Sequence, residues 1–123
     1  MLYTASFYDP ADWVGRAYRV SRAHPRGRRA EWGVLPFLYP PRDLLAAYRQ
    51  GQLDFDALSR AYRQGLDASL ARDGEFQAWL RDLPALGDVT LLCFERGDTP
   101  CHRRVAAHWL GEQEPSLRLG HLR

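Results

Sequence analysis

The sequence predicts one α/β domain, a three-layer-like arrangement in which helices flank a small, largely parallel sheet. Strand-like apolar segments alternate along the chain with amphipathic helical ones, the order of elements that builds such sheets. Residues 89–94 form a near-continuous apolar run, VTLLCF, bounded by Asp88 and Glu95. Strands covered on both faces read this way. With 123 residues, 46% of them hydrophobic, and four tryptophans, the chain can bury roughly two-thirds of its unfolded surface, and it needs neither a disulfide nor a metal to make a core. A single domain over residues 1–123 follows.

Each element has a local reason. Residues 2–8 are rich in aromatic and small side chains and read as a first strand, which Asp9-Pro10 breaks. Residues 17–21, AYRVS, alternate well enough for a second. Residues 22–29, RAHPRGRR, carry four arginines, a proline and a glycine and read as a loop. Pro36, Pro40 and Pro41 exclude a regular helix from residues 32–41, leaving an ordered loop packed against the body. Residues 42–50 place Leu44, Leu45 and Tyr48 on one helical face, with Gly51 as the stop. Residues 55–71 set Phe55, Leu58, Tyr62, Leu66 and Leu70 at helical spacing behind an Asp54 cap. Residues 75–83 repeat the pattern with Phe76, Trp79, Leu80 and Leu83, and Pro84 and Gly87 end it. Beyond the apolar strand, a helix over residues 100–110 turns Cys101, Val105, Ala106 or Trp109, and Leu110 inward, and residues 116–119 read as a short last strand. Tyr48 and Tyr62, which recur in AYRQG, are expected on the apolar faces with their hydroxyls reaching a partner at the edge.

Composition narrows the function classes. No apolar run approaches the ~18–20 residues that cross a bilayer. The first residues lack the basic-then-apolar order of a secretory leader, so the cytoplasm is the expected location and no membrane partner is expected. Net charge is +2, and all 17 basic residues are arginine, in a chain that also lacks isoleucine and asparagine. Such uniform absence is coding bias, so arginine abundance alone does not signal phosphate binding, well as arginine suits that task. Cys93 and Cys101 are the only cysteines. They are expected as free thiols, Cys93 as a packed residue of the strand, with a redox disulfide as the rival arrangement. No metal and no cofactor are expected: there is no Cys-x-x-Cys or His-Glu-x-x-His, and His24, His102, His108 and His121 are scattered.

The chemistry concentrates in residues 95–104. In open α/β sheets ligands gather where strands end and loops lead into helices. Glu95 sits at such an end. Thr99 is placed to cap the next helix and Pro100 to occupy its first position. Cys101 and His102 then fall in a first turn whose free N–H groups favour an anion or a thiolate. Three readings stand side by side. Cys101 is a thiolate nucleophile, His102 or Glu95 handles protons, and Arg103 or Arg104 holds an anionic substrate. Or the turn binds a phosphate, nucleotide or nucleic-acid backbone without chemistry. Or the motif is structural, with Cys101 in the core, Glu95 paired to Arg103, and His102 satisfying a buried backbone group. A phosphatase-type pattern is absent, since the fifth residue after Cys101 is Ala106.

Several segments together resemble a known family: Tyr3, Gly15-Arg16, Val20-Ser21-Arg22, PFLYPP, LLAAYRQGQLDFDALSRAYRQGL, and above all LLCFERGDTPCHRRVAAHWL. They are similar to the domain of unknown function 488. The most specific part is LLC-x-E…CHR, matched by Leu91, Leu92, Cys93, Glu95, Cys101, His102 and Arg103. The YRQG elements resemble the family's Tyr-Lys-x-Gly, with arginine in place of lysine. The resemblance implies a small α/β fold, one such domain over residues 1–123, and lends weight to the Cys-His-Arg turn while defining no reaction.

The working expectation is an anion-binding pocket at residues 95–104, with Arg16, Arg22, Arg103 and Arg104 as ligands and Cys101 as the reactive thiol. The rival is a module that binds nucleic acid or a protein, with Cys101 inert. If residues 22–29 fold over the Cys101 turn, Arg22 or Arg26 joins the anion ligands; otherwise they form a solvated loop. Trp13, Trp32, Phe37 and Tyr39 are read as capping a small core rather than as stacking bases.

Overall fold

The computed structural model describes residues 1–27, 31–97 and 99–123. Among these, the strands are β1 (Leu2–Ser6), β2 (Arg16–Arg19), β3 (Gly33–Val34), β4 (Val89–Cys93) and β5 (Leu119–Leu122). The α-helices are α1 (Arg42–Arg49), α2 (Phe55–Arg72), α3 (Gly74–Asp82) and α4 (His102–Gln113). The strands form one sheet in the order β3-β2-β4-β1-β5, and every pairing is parallel. The α/β expectation holds. β4 lies at the centre and is buried at all five positions, as its uninterrupted apolar run requires.

Alternate residues of the central strands feed two different cores. Leu2, Val89, Leu91 and Cys93 face the helices and join Tyr62, Leu66, Phe76, Ala106, Trp109 and Leu110 in the main core. Ala5, Phe7 and Leu92 face the opposite way, against Trp32, Trp13 and Phe94. That second layer is an aromatic cluster, with Phe7 and Trp32 ring centres 4.7 Å apart and Phe7 and Phe94 5.2 Å apart. A 3-10 turn at Pro10–Asp12 carries the chain through it. Trp13, Trp32 and Phe37 are therefore packing residues, Phe37 stacking on Phe76 at 4.3 Å.

Local signals set most boundaries. Asp54 caps α2 by accepting a hydrogen bond from the Ala57 N–H, and Asp73 caps α3 through the N–H groups of Glu75 and Phe76. Gly51, at φ +76°, ends the α1 segment. The differences are local. The two-residue β3 falls inside the segment read as a loop, because its pairing with Tyr18 and Arg19 is set by tertiary contact rather than by a pattern. β5 lies three residues later than expected at its start and pairs with the edge of β1. α4 begins at His102 with Cys101 as its extended N-cap (φ −147°), and Thr99 does not cap it. No helix of the described residues is long and apolar enough to cross a membrane.

Tyr62 illustrates how the helices are fixed to the sheet side. Its ring is 2% exposed and its hydroxyl donates to the Leu38 carbonyl at 2.6 Å. Tyr62→Phe leaves that carbonyl buried without a partner. An expected loss of about 1–2 kcal/mol can be read from chemical denaturation; an unchanged midpoint would show the bond to be idle.

Candidate functional site

Cys93 is the last residue of β4 and turns its side chain towards the helices. The chain then folds back, and Cys101 arrives immediately before α4. The two sulfurs are joined as a disulfide, with Cα atoms 7.7 Å apart. This corrects the free-thiol expectation. The reason is the turn between them, which returns Cys101 to the strand end, so that Cys93 is a core residue and a member of the site at once. Cys93 is 1% exposed and Cys101 3%.

Glu95 turns its carboxyl group onto the pair: Oε2 lies 2.8 Å from the Cys93 sulfur and 3.1 Å from that of Cys101. Its expected ion pair with Arg103 is not formed. Arg103 is 1% exposed and works as a buried clamp instead. Its Nη1 donates to the Glu95 backbone carbonyl at 2.8 Å and lies 3.6 Å from the Cys93 sulfur, while Nε donates to the Arg123 carbonyl at 2.8 Å. Burial first, and the neighbouring Arg104 next, push the Arg103 guanidinium down to about 10, so it stays charged at neutral pH.

His102 closes the cluster. Its Nε2 is 2.8 Å from the Val20 carbonyl, which accepts its proton, and this leaves the lone pair on Nδ1, 4.0 Å from the Cys101 sulfur. The Tyr62 ring packs edge-on against it at 5.7 Å. Burial holds the imidazole below its ordinary range, outweighing the opposing pull of the Val20 bond and Glu95, so the ring is neutral at pH 7.

The remaining arginines separate. Arg22 donates to the Pro40 carbonyl at 2.8 Å and lines a cleft of about 320 Å³ together with Arg42, Arg49, Cys93, Glu95 and His102. Arg104 bonds the Gly97 and Thr99 carbonyls of its own turn and lines neighbouring clefts. Arg16 is not brought to the site. It opens β2 opposite Val89, at the start of β4, whereas Cys93 ends that strand. Arg26 is exposed, and residues 28–30 of the basic loop lie outside the described residues.

Arg42 and Arg49 are the site residues that the sequence reading missed. They stand with Leu45 at positions i, i+7 and i+3 of α1, one helical face turned to the cleft. That spacing was available as a signal, but the apolar face through Leu44, Leu45 and Tyr48 masked it. Among the described residues, Arg22, Arg42 and Arg49 form no ion pair.

The molecule is thus a small parallel α/β protein that carries a cysteine pair, a carboxyl group and a neutral imidazole at the carboxyl end of its central strand, beside an arginine-lined cleft. The chain belongs to the DUF488 family: residues 2–114 match DUF488-N3a, described as the active DUF488-N3 subclade. No curated protein and no solved structure matches it. The matched residues include every member of the cluster and end before β5.

Proposed function

We propose that this protein binds a small anionic ligand, a phosphate or nucleotide, in the cleft between α1 and the turn after β4, with Cys101 as the reactive thiol of the reduced chain. One observation carries the reading. Arg22, Arg42 and Arg49, without acidic partners among the described residues, line the cleft whose wall holds Cys93, Glu95 and His102, and Cys101 lines a smaller cavity that shares Arg49, Glu95 and His102 with it. Guanidiniums without a carboxylate partner beside a concave, partly apolar wall suit a phosphate-bearing molecule. In the reduced chain Glu95, 3.1 Å from the Cys101 sulfur, takes the thiol proton, and neutral His102 stands next in line. Arg103 positions the turn and does not touch the ligand.

The test is calorimetric titration of the reduced protein with AMP and with inorganic pyrophosphate at low salt. Binding of either is expected to weaken at least about tenfold in Arg42→Ala/Arg49→Ala, since each charge-assisted bond contributes on the order of 1.5–3 kcal/mol. Arg60→Ala, on α2 and away from the cleft, serves as the control. No binding, or binding indifferent to the double substitution, rejects the anion reading. Iodoacetamide should label Cys101 of the reduced chain faster than glutathione at pH 7, and Glu95→Gln should slow it. A Cys101 that reacts only after denaturation has no nucleophilic role. Nucleic-acid binding that falls steeply with salt would instead place the chain among binding modules.

A further inference from the structure

We infer that the reduced protein holds one zinc-type divalent metal ion between Cys93 Sγ, Cys101 Sγ, His102 Nδ1 and the Glu95 carboxylate. The inference goes beyond the anion reading and does not rest on it, because none of these ligands is an arginine of the cleft.

The argument begins with which atoms face one another. The ligand atoms of Cys93, Cys101 and His102 all lie within 4.8 Å of each other, and all three residues are buried. Glu95 Oε2 reaches both sulfurs, at 2.8 and 3.1 Å. The Val20 carbonyl occupies the other ring nitrogen of His102. This is how a metal-binding imidazole is oriented: a backbone acceptor fixes the tautomer and aims the free lone pair at the metal. Lone pairs from two sulfurs and a nitrogen therefore converge on one buried point, and the half-buried Glu95 carboxylate stands against both sulfurs. In the reduced chain two weak S–H donors and the Arg103 N–H at 3.6 Å from the Cys93 sulfur face these acceptors, none of them aimed at the His102 lone pair by a short bond, and acceptors facing one another away from water are costly.

A divalent ion resolves the conflict. Two thiolates, one imidazole and one carboxylate form a four-coordinate set of the kind zinc takes, and sulfur ligands select zinc over the harder magnesium or calcium. Charge closes as well. Two thiolates, a carboxylate and a divalent cation leave one negative charge, and the buried Arg103 guanidinium, 3.6 Å from the Cys93 sulfur, offsets it. The spacing of His102 directly after Cys101, with Cys93 eight residues earlier, matches no familiar zinc signature. The donors are assembled by the fold and not by a local metal-binding motif.

The disulfide seen in the structure and the metal are alternative states of the same sulfurs. A thiol reductant opens the bond, two RSH giving RSSR and leaving Cys93 and Cys101 each as a thiol. The metal then displaces both thiol protons to solvent, with no further electron transfer. A bound ion keeps the Cys101 sulfur as thiolate without a base.

The experiment uses the full chain, reduced and freed of metal. Titration with Co²⁺ should give the intense sulfur-to-cobalt charge-transfer absorption and the visible bands of tetrahedral cobalt, saturating at one ion per chain. Zn²⁺ should bleach them stoichiometrically. Cys93→Ser and Cys101→Ser should each weaken Zn²⁺ affinity at least 100-fold, and Glu95→Gln by about tenfold. Should a serine variant fail to fold, X-ray absorption of the zinc-loaded wild type decides alone: two sulfur and two lighter scatterers are expected. A zinc shell of oxygen and nitrogen only, or no saturable Co²⁺ binding by the reduced chain, overturns the inference. AMP and pyrophosphate binding is measured on the same metal-free sample. AMP or pyrophosphate binding by a wild-type chain that takes up no Co²⁺ rejects the metal site alone, and saturable Co²⁺ uptake by a chain that binds neither anion rejects the anion reading alone.

Discussion

Arg103→Ala is expected to lower the unfolding free energy by about 3–5 kcal/mol, the range for removing one member of a buried charged network. The guanidinium is 1% exposed and bridges three places: the Glu95 carbonyl, the Arg123 carbonyl and the Cys93 sulfur. Alanine leaves two carbonyl groups without their donors and a void of several heavy atoms beside α4. Arg103→Lys keeps the charge but offers no planar fork, so it should recover only part of the loss. Equilibrium denaturation of the three proteins reads this directly. A loss below about 1 kcal/mol for alanine would mean that the clamp is no stronger than a surface pair, and the account of how Glu95 is held would have to be abandoned.

The second large effect lies at the far end of the sheet. Gly15 has φ +67°, and a Cβ built there would fall within the envelope of the Asp88 carbonyl oxygen and 2.7 Å from the Asp88 Cβ. Both obstacles involve groups that move little, since the next residue, Arg16, donates its N–H to the same Asp88 carbonyl at 2.9 Å. Alanine at position 15 is therefore expected to cost about 3 kcal/mol, a left-handed penalty of roughly 1 kcal/mol plus the displacement of β2 from β4. Denaturation again measures it. A variant within about 0.5 kcal/mol of wild type would show that the entry to β2 can rebuild itself.

Elements were legible where one residue pattern decides them. The apolar run over residues 89–94 announced a buried strand, and Asp54 and Gly51 marked helix ends by chemistry that acts within a few residues, whereas the Asp73 cap of α3 is seen only in the structure. β3 was not legible, because two residues at a sheet edge owe their conformation to the neighbouring strand. The start of α4 was misplaced for a related reason. Thr99 and Pro100 satisfy the local rules for a helix opening, but burial of His102 and Arg103 lets the chain stay extended through Cys101.

The site was half legible. Cys101, His102 and Glu95 were read from the sequence, and the fold brings them together. For Cys93 the sequence favours packing over the rival disulfide, since a thiol in an apolar strand looks like any small core residue until the returning turn is known. Arg16 enters the expected ligand set as part of the family-like Gly15-Arg16 pair, yet a parallel strand separates its two ends by its full length. Arg42 and Arg49 were hidden in a chain whose basic residues are all arginine.

The placement of Phe94 has a mechanical consequence. Its ring lies 5.2 Å from Phe7 and 6.3 Å from Tyr8, on the side of the sheet away from the helices, while the adjacent Cys93 points to the helices. One peptide unit thus acts as a rocker whose two arms rest in separate pockets of packing. Repacking the ring cluster beneath is expected to tilt the sulfur above, which would make residues far from any ligand a means of tuning the geometry of the cysteine pair.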